Sequence, residues 1–219
     1  MFRSIGVLYE DEQFVIFHKP AGMLVIPAPK KHSRTLTEIV NEQYKEKGYG
    51  LHPCHRLDHE TSGAIVYAKG KKNQKLMRDL FARKKVLKTY VALVRGKIKK
   101  LNGTISAPIE DVHRKRFRRE AAGLPAVTKY KVLEVKRHFS VVEVFPETGR
   151  THQIRIHFAR IGHPLLGERL YAFRRDFAVD FKRMALHAVH VEFVQPVTRQ
   201  KILATDPLPK DMENFLAKY

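Results

Sequence analysis

Apolar and polar residues alternate over two short runs, Ile5 to Tyr9 and Phe14 to His18, and the turn-like EDEQ between them predicts a β-hairpin. KPAGMLVIPAPKKHS follows, and its prolines and glycine predict a loop over 19–33. The period then changes. Leu36, Ile39, Val40 and Tyr44 fall on one face of a helix that closes at Gly48. After HRLDHETSG at 55–63, AIVYAKG has the pattern of a short buried strand. KKNQKLMRDLFARKK places Leu76, Leu80 and Phe81 on one side and lysines and arginines on the other, which predicts an amphipathic helix with a basic face.

Strands are expected at 88–98, 103–109, 126–135 and 139–145. A helix is expected over 152–162, with Ile154, His157, Phe158 and Ile161 along one side. ALHAVHVEFVQ and RQKILATD give two more strands before a short helix from about Pro209. This order implies an α+β fold: a large, mainly antiparallel mixed sheet with flanking helices and a basic loop at 110–123. No internal repeat or low-complexity linker interrupts it, so residues 1–219 are expected to form a single domain.

Charge narrows the function. Lys and Arg number 42 against 22 Asp and Glu, a formal net charge of +20, which favours a polyanionic partner. The densest basic run, HRKRFRRE at 113–120, has Phe117 as its one apolar residue and suits a loop against phosphates better than a helix lying in lipid. A basic surface can also serve solubility alone; an excess of this size favours nucleic acid. The N-terminus meets acidic residues before any signal-peptide apolar stretch develops, and no run approaches the roughly 18 apolar residues of a membrane span. Cys54 is the single cysteine, so no intramolecular disulfide can form and a cytoplasmic location is expected.

HRLDHETSG sets Asp58 among basic and imidazole side chains ahead of a polar turn. His52, Cys54, His55, Asp58 and His59 carry donors that zinc accepts, but paired cysteines are lacking. His59-Glu60-Thr61-Ser62-Gly63 lacks the second histidine of a metalloprotease helix. No G-x-S-x-G, P-loop or G-x-G-x-x-G occurs, and Cys54 reads as a small filler. Asp58 can then be a turn cap or a reactive carboxylate, and residue chemistry alone leaves both open.

The motifs themselves go further. HRLDHETSG resembles the His-Arg-Leu-Asp-x-x-Thr-Ser-Gly signature of the RluA-type pseudouridine synthases. LYEDEQFVIFHKPAGMLV resembles that family's N-terminal segment, with the turn at His18, Lys19, Pro20 and Gly22. LKTYVALVRG, ETGRTHQIRIHFARIGHPLLGERLY and MALHAVHVEF resemble three further motifs in family order, so the likeness spans about residues 5–195. Residue 64 is Ala where many members have Leu or Val, a conservative departure.

The resemblance implies isomerisation of uridine in ribosomal RNA of the large subunit, transfer RNA or both, without a metal or organic cofactor. Asp58 matches the catalytic aspartate, Tyr90 the tyrosine that stacks on the base, and Arg150 the arginine that ion-pairs with the aspartate. Arg56 matches the arginine that holds the RNA open around an extruded nucleotide, and Leu186 the apolar residue lining the pocket. A uridine inside folded RNA must be flipped out before C1′ or C6 can be reached. Nucleophilic attack at C6, attack at C1′ and removal of a 2′ proton all need Asp58 in nearly the same place. His152 is expected to bond within the core, and Lys19 and Pro20 to shape a loop. No N-terminal S4 RNA-binding module is expected, and a monomer is the default. The alternative is a non-catalytic RNA-binding assembly factor of the same fold, against which stands the retention of Asp58, Tyr90 and Arg150.

Overall fold

The computed structural model describes residues 4–28, 33–110, 123–172 and 179–219. The elements run β1 (Val7–Glu10), β2 (Phe14–Lys19), α1 (Leu36–Gln43), β3 (Leu51–Pro53), β4 (Ser62–Lys69), α2 (Gly70–Ala82) and β5 (Val86–Arg95). They continue with β6 (Asn102–Ser106), β7 (Val127–Val135), β8 (Phe139–Pro146), α3 (Gln153–Arg160), β9 (Leu186–Val194), β10 (Lys201–Thr205) and α4 (Lys210–Lys218). The chain divides into two compact units. One holds the residues up to Lys88 with His187–Ala217; the other holds Thr89–Leu186 with Lys218 and Tyr219.

In the first unit the strand order is β1-β2-β4-β9, with β3 also paired to β4 and β10 to β9. Only β4 and β9 run parallel there, through Ser62 opposite His187 and Gly63 opposite Ala188. Phe14 to Phe17 are all buried, as are Ser62 to Ala68, because helices cover both faces of this sheet. On one face Met77 of α2 packs with Phe14, Ile16, Ala64 and Val66. On the other, Phe17 makes edge-to-face contacts with Tyr44 and Tyr67. Thr35 caps α1 in a reciprocal box with Glu38, the pairing that Thr-x-x-Glu encodes.

The second unit has the order β5-β8-β7-β6, all antiparallel. β7 alternates buried Thr128, Tyr130 and Val132 with exposed Lys129 and Lys131, a sheet covered on one face. Helix α3 covers it, burying Ile154 and Phe158. His157 is fully buried, its Nδ1 bonded to Thr128 Oγ1 (2.8 Å) and its Nε2 to the Ala107 carbonyl (3.0 Å).

The expected class, α+β with a mainly antiparallel mixed sheet and flanking helices, is borne out. Details differ for identifiable reasons. The helix expected up to Gly48 stops at Gln43 and becomes a 3-10 turn, Lys45–Lys47, while the Tyr44 hydroxyl donates to Glu10 Oε2 (2.6 Å). Strand β3 was not expected: three residues ending in proline carry no period of their own and pair because β4 lies beside them. Met77, not Leu76, is the fully buried residue of α2. Ile161 is the C-cap of α3 and exposed. Most of the basic loop expected at 110–123 lies outside the described residues.

Candidate active site

The segment leading to Asp58 is pinned twice to one residue of β4. The Cys54 N–H donates to the Val66 carbonyl (2.9 Å), and the Val66 N–H donates to His55 Nε2 (3.0 Å). That lone pair is therefore used inside the fold and is not offered to a metal. Burial, and then the Lys88 ammonium, push the His55 pKa down to about 3, so the ring is neutral near pH 7. Its face lies against Phe81, with ring centroids 4.8 Å apart. Cys54 is buried and burial pushes its thiol up to about 12, which fits a filler and not a nucleophile.

Asp58 itself is half-buried on the loop between β3 and β4, and its carbonyl accepts from the Thr61 N–H (3.2 Å) to close a turn. Lys19, at the end of β2, is completely buried and holds this turn from beneath. Its Nζ donates to the carbonyls of Pro20 (3.1 Å), His59 (3.1 Å) and Thr61 (2.7 Å). The Gly22 N–H donates to the same His59 carbonyl (2.9 Å), so the Lys-Pro-x-Gly turn and the aspartate turn are one hydrogen-bonded body.

The Thr-Ser-Gly that follows is equally constrained. His187 Nε2 donates to the Asp206 carbonyl (3.0 Å), and in the neutral imidazole this leaves Nδ1 to accept from the Ser62 hydroxyl (2.9 Å). Gly63 has φ +122°, and a Cβ there would lie 2.4 Å from the Ala188 backbone nitrogen and oxygen. Only glycine permits that approach. Arg56, in contrast, is exposed.

Arg150, Tyr90 and Leu186 belong to the second unit. Tyr90 is buried on β5 opposite Val144 of β8. Leu186 is buried and follows Ala185, whose carbonyl accepts from the Leu93 N–H of β5 (3.1 Å). Arg150 is exposed, and its Nε donates to the Pro125 carbonyl (3.3 Å). Its backbone is fixed by Gln153, which is buried. Gln153 Oε1 accepts from the Arg150 N–H (3.1 Å) and the Thr148 hydroxyl (2.6 Å), and Nε2 donates to Val127 O (2.9 Å) and Thr128 Oγ1 (3.0 Å). His152 sits between them with φ +55°, its Nδ1 bonded to the Tyr171 hydroxyl (2.9 Å).

One turn further, Arg155 grips Glu168 through Nε (2.7 Å) and Nη2 (2.8 Å). Burial by itself would raise the Glu168 pKa; the Arg155 hydrogen bonds and the Leu170 N–H hold it below the ordinary carboxylate value instead. Lys19 was expected to shape a loop, though not from a fully buried position, and Gln153 and Glu168 were not singled out as anchors from the sequence. Nothing local distinguishes a lysine, glutamine or glutamate that ends up buried from one at the surface.

The family model for RNA pseudouridylate synthase matches residues 13–160. The chain belongs to that family. It is 38% identical over its whole length to the uncharacterized RNA pseudouridine synthase YhcT of Bacillus subtilis (strain 168), covering 73% of that protein. It is 37% identical to the ribosomal large subunit pseudouridine synthase D of Nitrosomonas europaea, with 97% of this chain matched to 64% of that one. Among solved structures, human RNA pseudouridylate synthase domain containing 1 superposes with a TM-score of 0.73 at 27% identity, covering 94% of this chain and 84% of that one.

The chain is thus an RNA pseudouridine synthase, an isomerase that breaks the N1 glycosidic bond of uridine and rejoins the base through C5. Among the described residues no helix is long and apolar enough to cross a membrane.

Proposed function

We propose that Asp58 is the reacting carboxylate and that ribosomal RNA of the large subunit is the substrate. The observation that carries the first part is the construction of its turn: a buried ammonium bonded to carbonyls one and three residues beyond Asp58 fixes the backbone that aims it. In this reading Arg150 pairs with Asp58, keeping it ionised and oriented. Tyr90 stacks on the extruded uracil. Arg56 holds the RNA open around the vacated position, and Leu186 lines the pocket. The lysines of α2 and the basic run at 113–120 neutralise phosphates. The whole chain acts as one catalytic domain, a cytoplasmic monomer, with neither metal nor organic cofactor.

The likeness to a large-subunit synthase supports the choice of ribosomal RNA over transfer RNA. The test is tritium release from RNA labelled at uridine C5, since that hydrogen leaves when the new bond forms. Wild type is expected to release tritium from large-subunit ribosomal RNA and not from transfer RNA. Asp58→Asn should release none while binding RNA as wild type does. Release from transfer RNA alone would overturn the substrate, and equal loss of binding and release in Asp58→Asn would make the aspartate structural.

A further inference from the structure

Residues 71–88 hold eight lysines and arginines against one acid, Asp79. Lys88 differs from the rest of this group. It is half-buried on β5, and its Nζ stands 6.0 Å from the centroid of the Phe81 ring. The same ring carries His55, and Phe81 itself packs against the apolar cluster beneath α2. A lysine drawn this far out of water normally meets a carboxylate. Among the described residues Lys88 meets none, and neither does any other cation from Lys71 to Lys85.

Among the described residues the surroundings supply no substitute anion. His55 is neutral, its Nε2 occupied by the Val66 N–H, and Arg56 next to it adds another positive charge. Helix α2 reaches β5 through a tight C-terminal turn. The Lys85 N–H bonds back to the Leu80 carbonyl (2.9 Å) and the Lys84 N–H to Phe81 O (3.1 Å), with Lys84 at φ +56°. That connection sets Lys88 back against Phe81 while Lys84 and Lys85 stay exposed.

We propose that Lys88 is a dedicated ligand for one backbone phosphate of the RNA, seated beside the nucleotide that Arg56 attends. This rests on the reading of Arg56 and on RNA as substrate. An ammonium already stripped of part of its water meets a phosphate in a lower dielectric than a surface lysine does, so the contact is stronger for the same charge. Desolvation also holds the Lys88 pKa below the ordinary lysine value, as expected of a cation awaiting its partner. The Phe81 face and the neutral imidazole leave the charge without an internal competitor.

The experiment compares Lys88→Met, Lys88→Arg and the control Lys45→Met by equilibrium binding of large-subunit ribosomal RNA across a salt series, with thermal unfolding of each protein alone. Lys45 is an exposed residue paired with Glu42. Lys88→Met should weaken binding roughly three- to tenfold near 0.1 M salt and lower the salt slope by about one, the signature of one lost phosphate contact. Its unfolding temperature should stay level or rise, because an unpaired desolvated charge has gone. Lys88→Arg should keep the slope, as should Lys45→Met. A Lys88→Met protein that unfolds, or that folds and keeps the wild-type slope, would overturn the assignment. Wild type that fails both to bind this RNA and to release tritium would instead overturn the underlying reading of the substrate.

Discussion

The turn carrying Asp58 hangs from a buried cation, whereas the turn carrying Arg150 hangs from a neutral amide. Lys19 offers only donors, and three backbone carbonyls take them. Gln153 both gives and accepts, so one side chain satisfies a backbone N–H, a carbonyl and two hydroxyls. The Asp58 turn also has independent tethers at Val66, at the Ser62–His187 pair and at the Gly63–Ala188 approach. The Arg150 turn is restrained chiefly through Gln153, with Thr148 Oγ1 accepting from the Val127 N–H (3.0 Å) and the Glu147 N–H donating to the Val127 carbonyl (3.0 Å). The proposed role of Asp58, a nucleophile or base, needs aiming within fractions of an ångström, and redundant bracing serves that need. In the proposed arrangement Arg150 pairs through a long, exposed side chain, which demands less of its backbone.

The bracing of the Asp58 turn is most vulnerable at Gly63. Gly63→Ala combines a positive φ with a Cβ driven into the Ala188 backbone, and should destabilise by on the order of 4 kcal/mol. Denaturant unfolding measures this, and a loss below about 1 kcal/mol would mean that β4 and β9 can separate without consequence.

Gln153→Ala strands several buried polar groups and should cost about 3 kcal/mol. It should also lower the single-turnover rate while hydrogen exchange at Thr61 and Val66 stays as in wild type. Faster exchange at those amides would show that the two turns do not depend on separate anchors.

The smallest effect concerns His55. Its folded pKa lies near 3, below the usual histidine value of about 6.5, so between those limits the unfolded chain binds a proton that the folded one refuses. Stability should therefore fall as pH drops from about 6.5 towards 3, and His55→Phe should flatten that decline in denaturant titrations. An equal decline in wild type and variant would mean that the imidazole titrates normally.

Much of the scaffold was legible in the sequence because periodicity reports burial directly. The hairpin, the basic helix and the strands of the second unit follow from where apolar residues recur. Asp58 was singled out by family likeness and not by local chemistry, since an aspartate before Thr-Ser-Gly also caps turns. What could not be read were the long-range partners: Lys19 reaches 42 residues ahead to Thr61 O, and Ser62 reaches 125 to His187. Such bonds leave no period in the chain. Gly63 is the intermediate case. Its place in the motif was visible, but the reason for it, the backbone of Ala188, appears only when β4 and β9 run side by side.

The uncompensated charge of residues 71–88 has a consequence for recycling. Isomerising uridine adds and removes no charge, and the RNA leaves with the same phosphates in the same order. Contacts to those phosphates hold substrate and product equally and do nothing to lower the barrier between them. Cations that held RNA tightly along this helix, as proposed, would also delay its departure. The proposed arrangement, with one semi-buried lysine beside the reacting nucleotide and the other cations left in water, keeps most of the grip loose enough for the enzyme to let go.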